Sequence, residues 1–366
     1  MYREKLTLKE LLALKPKVTD KTIYEDIQQN WDLLSKPIDG FGDFEKVICR
    51  IGAVQGKRIP LLDKQVAVIV CADNGVVSQG VSQVGCEVTL QVAQMLGKGI
   101  STANTLGIKT GVKVLPVDIG IDCEGEIPGV LDLKVRQGTR NFVLEPAMTE
   151  AEALMAIGAG IDLMKDLADE DTDIVLTGEM GIGNTTTAAA LMAMLTGGDG
   201  SEYVGRGAGL GDEGLQRKLA VVTGAVSKYR KEQESLGVSG AESSFASLCQ
   251  VGGLDIAALC GLYIGGALYG VPVVVDGLIT AVAALLAERL VPGVSEYMIM
   301  AHAGREKGIT EVADLLGLRP LMNGNMALGE GTGAIMAMPL LDTALDFYNR
   351  ASTFGDGGIK EYQRFS

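Results

Sequence analysis

DIVLTGEMGIGNTTTAAALMAMLTGG, Asp173 to Gly198, is the stretch whose reading decides the fold. Ile174 to Thr177 is short, apolar and bounded by glycine, as a buried strand is, whereas Thr186 to Leu195 holds strong helix formers. Between them, Gly178, Gly181 and Gly183 place three glycines in six residues, so the chain can turn sharply and bring bare N–H groups close to a ligand. Asn184, Thr185 or Thr186 can cap the helix, whose positive end faces the same place. The segment reads as an anion site suited to phosphate or carboxylate, or as a turn that serves tight packing alone. It is not a P-loop, because the Gly-Lys-Ser/Thr ending is missing, and no GxGxxG follows the first strand, which argues against a dinucleotide-dependent dehydrogenase.

Outward from this stretch, strands and helices alternate. Strands are predicted at Val66 to Cys71, Val112 to Asp118, Val271 to Val275 and Tyr297 to Ala301. Helices are predicted at Leu6 to Leu14, Lys21 to Leu34, Phe44 to Gln55, Glu87 to Leu106, Glu150 to Ala168, Asp212 to Arg230, Ser243 to Cys249, Gly253 to Leu268, Thr280 to Leu290 and Gly331 to Tyr348. Thr149 with Glu152 forms a capping box. The alternation predicts an α/β fold with a mostly parallel, Rossmann-like sheet and helices on both faces. We expect N-terminal helices over 1–60, a large nucleotide-binding α/β domain over 61–305, and a C-terminal segment, 306–366, that completes a small helical domain with the N-terminal one.

Composition narrows the function. Residues are 47% hydrophobic, yet 49 are glycine against 7 Phe and 1 Trp, so the core is built of small residues in close contact. A net charge of −14 argues against a nucleic-acid surface, and an anionic substrate must be held by local donors. Six scattered cysteines without CxxC, and a single His302, suggest neither a disulfide framework nor a metal site, which fits the cytoplasm. Ile256 to Val275 runs 20 residues without a charge, but its glycines and Pro272 break it into helix and strand, with Asp255 and Asp276 at its ends, so no membrane span is expected.

Four stretches carry a resemblance: GEMGIGNTTTAAAL, LMNGNMALGEGTGAIMAMPLL (Leu321 to Leu341), VGRGAGLGDEGLQRKLAVV (Val204 to Val222) and PVVVDGLITAVAALLA (Pro272 to Ala287). Together they resemble the nicotinate-nucleotide dimethylbenzimidazole phosphoribosyltransferases, over roughly Asp39 to Phe354. The resemblance implies attack by an aromatic base on the ribose C1′ of nicotinate mononucleotide, with release of nicotinate and inversion at C1′, for cobamide biosynthesis. It implies no cofactor, and a homodimer or a heterodimer with a homologous subunit.

From the residues alone, Glu330, framed by Gly329 and Gly331, reads equally as a helix-end carboxylate or as a base; the resemblance implies the catalytic base. Leu328, Met326 and Met322 are expected to desolvate it and raise its pKa. The resemblance further implies nucleotide contacts at Glu179, Gly181, Gly183, Asn184, Thr185 and Thr186, phosphate contacts at Gly207 and Lys218, and Asp276 near the glycosyl end. Without it, Lys218 reads equally as a solvated helix lysine beside Arg217 or as a phosphate partner, and Asp276 more readily as a strand-end cap than as a functional residue. Ser82 and Gln91 are the implied base-pocket residues, with Leu328. His302 reads as a core-edge histidine with a satisfied hydrogen bond.

The chain departs from the family wording at Asn74 and Ile309, where His is usual, at Gly304, where Ser is usual, and near Val84-Gly85, where an aromatic-Pro pair is usual. These changes open three alternatives: a dimethylbenzimidazole acceptor, a phenol or p-cresol acceptor, or a supporting subunit of a heteromeric enzyme.

Overall fold

The computed structural model describes residues 2 and 5–364. Its sheet has six strands in the order β3-β2-β1-β4-β5-β6, where β1 is Gln65–Ala72, β2 Lys113–Gly120, β3 Leu131–Asp132, β4 Ile174–Met180, β5 Val273–Val275 and β6 Met298–Met300. Every pairing is parallel, with Ile69 opposite Gly178 and Val175 opposite Val273. The predicted parallel α/β architecture is present, and the strand that opened the sequence argument lies inside the sheet. Parallel strands aim all their carboxyl ends at one edge. Asp73, Glu179, Asp276 and His302 therefore gather there.

Side chains alternate between two cores. Val66, Val68, Val70, Val175 and Val273 face the helices Glu150–Asp169, Asn184–Thr196, Leu254–Tyr269 and Leu278–Leu290. Ala67, Ile69, Cys71, Leu176 and Val274 face Lys21–Leu33, Asp43–Gln55 and Thr332–Arg350. On this second face the N- and C-terminal segments meet, with Trp31 stacked on Phe347 at 6.2 Å. The small-residue core appears as close helix contact: a Cβ at Gly160 would lie 2.1 Å from the Ala258 carbonyl, and one at Gly261 2.0 Å from that of Ile157. The capping box at Thr149 and Glu152 is formed.

The uncharged stretch 256–275 is the buried helix Leu254–Tyr269, a turn at Gly270 and strand β5. Among the described residues no helix is long and apolar enough to cross a membrane. The predicted helix Glu87 to Leu106 is corrected: it is two helices, Glu87–Gly97 and Thr102–Thr110. Gly99 takes a φ of +74°, which ends the first, and Ser101 caps the second in a box with Asn104. This break places a helix amino end at the active edge of the sheet.

Candidate active site

Strand β4 continues through Met180 into the glycine loop, and the helix Asn184–Thr196 starts at its end. Gly183 has a φ of +92°, and a Cβ there would lie 2.6 Å from Val77, so both backbone and space require glycine. Ile182 N–H donates to Thr89 of the helix Glu87–Gly97, which holds the loop down. The loop, Ser82, Arg206 and Gly207 line one small cleft of about 70 Å³ at this helix's amino end.

Lys218, on the helix Asp212–Leu236, is buried, and its Nζ donates to Thr185 Oγ1 at 2.7 Å. A Cβ at Gly207 would stand 3.5 Å from that Nζ. Burial depresses the Lys218 pKa to about 8, against the pull of Glu306, and an arriving dianion would raise it again and hold the charge in place. Lys218 is thus a buried cation at a helix amino end, not a solvated surface lysine. Thr186 Oγ1 is buried without a hydrogen-bond partner among the described residues.

Glu330 sits in the turn before the helix Thr332–Arg350 with φ +56°, between Gly329 at +87° and Gly331 at +68°. Three consecutive left-handed residues are unusual, and for glutamate the conformation is unfavourable by about 1–2 kcal/mol. The turn is held by backbone contact, because a Cβ on Gly178 of β4 would fall 2.6 Å from Gly331 N. The Glu330 carboxyl does not cap the helix that follows it. It points to the amino end of Thr102–Thr110, where burial raises its pKa and the Ala103 N–H, the Ser101 hydroxyl and the Thr102 N–H oppose the rise. Its Oε2 is buried and completes no hydrogen bond among the described residues.

The expectations for Leu328 and His302 are corrected here. Leu328 is 56% exposed and does not desolvate Glu330; the sheet edge and the second helix do. Gln91 is exposed, about 200° around the helix from Thr89, which holds the loop. His302 is buried but its Nδ1 has no hydrogen-bond partner among the described residues, while Nε2 lies 3.7 Å from Asp276 Oδ1. Asp276 Oδ1 also accepts from Ala334 N–H at 2.8 Å, joining β5 to the helix that follows Glu330.

Two acidic residues escaped the sequence reading. Glu306, beyond β6, faces Asp276, His302 and Lys218, and burial raises its pKa. Asp255, at the start of the helix Leu254–Tyr269, is wholly buried beneath the glycine loop. In sequence it only marks the end of an apolar run, and nothing there signals a site. Of the departures from the family wording, Asn74 is buried, accepting from Thr187, and Ile309 is core.

A family model described as phosphoribosyltransferase matches residues 17–359. The nicotinate-nucleotide–dimethylbenzimidazole phosphoribosyltransferase of Acetivibrio thermocellus is 40% identical over 337 residues, spanning 92% of this chain and 94% of that protein. Its counterpart from Ruminiclostridium cellulolyticum is 37% identical over 92% of this chain and 93% of that one. The crystal structure of CobT from Thermus thermophilus matches with a TM-score of 0.85 at 37% identity, covering 93% of this chain and 100% of that chain. On this similarity, and with the glycine-framed Glu330 turn resting on the strand that leads into the glycine loop, the chain belongs to the nicotinate-nucleotide–dimethylbenzimidazole phosphoribosyltransferase family.

Proposed function

We propose that the protein transfers the ribose phosphate of nicotinate mononucleotide to an aromatic base of the benzimidazole type, releasing nicotinate. The observation that carries this reading is Glu330, a carboxylate in a left-handed turn whose neighbour Gly331 rests on Gly178, the residue that begins the phosphate loop. Lys218, Thr185, Gly207 and the amino end of Asn184–Thr196 hold the phosphate, with Gly181 and Gly183 admitting it to the backbone. Ser82 lines the same cleft and Leu328 stays exposed as a wall for the flat acceptor. Asp276 orders the start of the catalytic turn's helix through Ala334.

A ring nitrogen of the base forms a bond to C1′, the bond from C1′ to the pyridinium nitrogen breaks, and its electron pair returns to nicotinate. The ring N–H proton passes to Glu330, whose unpartnered Oε2 is free to accept it. Burial keeps that oxygen basic enough for the task. Phenol or p-cresol would use the same base to lose its O–H proton, so the acceptor is decided by fit and not by the chemistry of Glu330.

The test is nicotinate release by the purified chain alone, given nicotinate mononucleotide with dimethylbenzimidazole or with p-cresol. Release with the benzimidazole is expected to exceed release with the cresol. Preference for the cresol would reassign the acceptor, and no release with either would favour a supporting subunit instead.

A further inference from the structure

Beneath the glycine loop lies a polar cluster that the transfer chemistry does not use. Asn184 Nδ2 donates to Glu179 Oε2 and approaches Asp255 Oδ2 at 3.4 Å. Asp255 Oδ1 accepts from Ile256 N–H at 2.9 Å. The loop rests on this group, since a Cβ at Gly181 would lie 3.1 Å from Asp255 Oδ2 and 3.2 Å from Asn74 Nδ2, itself buried and without a partner among the described residues. The other Glu179 oxygen, Oε1, lies 3.3 Å from where a Cβ on Gly329 would stand, beside the Glu330 turn.

The pair has acidic company on every side. Asp73 beyond β1 acts on Asp255, and Asp276 beyond β5 and Glu306 beyond β6 act on Glu179. His302 is turned to Asp276, and Lys218 to Thr185. Neither Glu179 nor Asp255 has an ion-pair partner among the described residues. Two carboxylates on one amide, out of water and without a cation, do not both ionise. Burial and then the charge of Asp255 push Glu179 up to about 8, whereas burial pushes Asp255 only to about 6; Asn184 restrains both, and the Ile256 N–H is the donor that Asp255 alone receives.

We propose that Asp255 is a positioning residue that keeps the proton of this pair on Glu179, so that the loop offers the anionic nucleotide a neutral carboxyl hydroxyl in place of a second negative charge. This rests on the nucleotide reading above. The neutral form of Glu179 binds and the ionised form repels, so nucleotide capture falls as pH rises through its pKa. Removing the negative neighbour lowers that pKa and moves the fall to lower pH.

The pH profile of kcat/KM for nicotinate mononucleotide, which reports groups of the free enzyme, tests this. Asp255→Asn is expected to move the alkaline fall down by about one pH unit. Lys218 titrates in the same range, so Glu179→Gln isolates the effect: in that background Asp255→Asn leaves the profile where it was. An unmoved profile in the Asp255→Asn protein, or an equal shift with Gln at 179, overturns the proposal. Calorimetry on the native protein gives a second measure. At pH 8, binding of nicotinate mononucleotide should take up more protons in the native chain than in Glu179→Gln, read as the difference between two buffers of unlike ionisation enthalpy. Equal uptake overturns the inference alone. If the nucleotide fails to bind the native chain, the functional reading falls, and the inference with it.

Discussion

Glu179 and Glu330 sit a turn apart at the same sheet edge, and their surroundings are opposite. Glu330 lies at the amino end of a helix, with the N–H groups of Ala103 and Thr102 and the hydroxyl of Ser101 turned toward it. Glu179 lies among Asp255, Asp276 and Glu306, with the amide of Asn184 as its donor. Burial lifts both, but donors restrain Glu330 while acids drive Glu179 further up. One residue type thereby stands in two settings: among donors that favour its anion, and among acids that favour its neutral form. Position alone does not assign a carboxylate its task.

Three changes probe that contrast, in order of expected effect. Glu330→Gln removes the proton acceptor and should lower kcat by about 10²-fold or more, the usual worth of a general base, with the KM for the nucleotide nearly unchanged. A rate within a few-fold of native, measured as nicotinate release, would deny Glu330 that role. Ser101→Ala removes one of the donors that restrain Glu330 and should therefore raise its pKa. Because the base acts when ionised, the acidic limb of kcat should move to higher pH, and loss of the cap should destabilise the protein by about 1 kcal/mol. A fixed limb would mean that the helix end does not tune Glu330.

The smallest effect concerns stability. Glu179 and Asp255 have folded pKa values raised above those of the unfolded chain, to about 8 and about 6. The folded state thus binds more protons, and stability falls as pH rises from about 4 through those values. Asp255→Asn relieves the repulsion and should raise the melting midpoint at pH 8 by about 1–3 °C, with less gain at pH 5, where both groups are already neutral. A loss of stability at pH 8, followed by calorimetry, would contradict the buried repulsion.

Much of the scaffold was legible in sequence because its signals are local. Alternating short apolar runs and helical patterns predict the parallel sheet, and the glycines from Gly178 to Gly183 predict the sharp turn into a helix. The helix break at Gly99 was not, since Glu87 to Leu106 keeps an acceptable helical pattern across it and one left-handed glycine decides the matter. Missing that break hid the amino end that receives Glu330, which is why the apolar residue Leu328 stood in its place as the expected neighbour. Asp255 was illegible for another reason: its partner Asn184 lies 71 positions away, and only the fold brings them together.

The contact between Gly178 and Gly331 joins two distant stretches of chain through main-chain atoms alone. The spacing between Glu330 and the glycine loop is consequently a property of the scaffold and is insensitive to which side chains surround it. A lineage can then exchange the residues that meet the incoming ring, and so acquire a new acceptor, while the reacting centres keep their alignment.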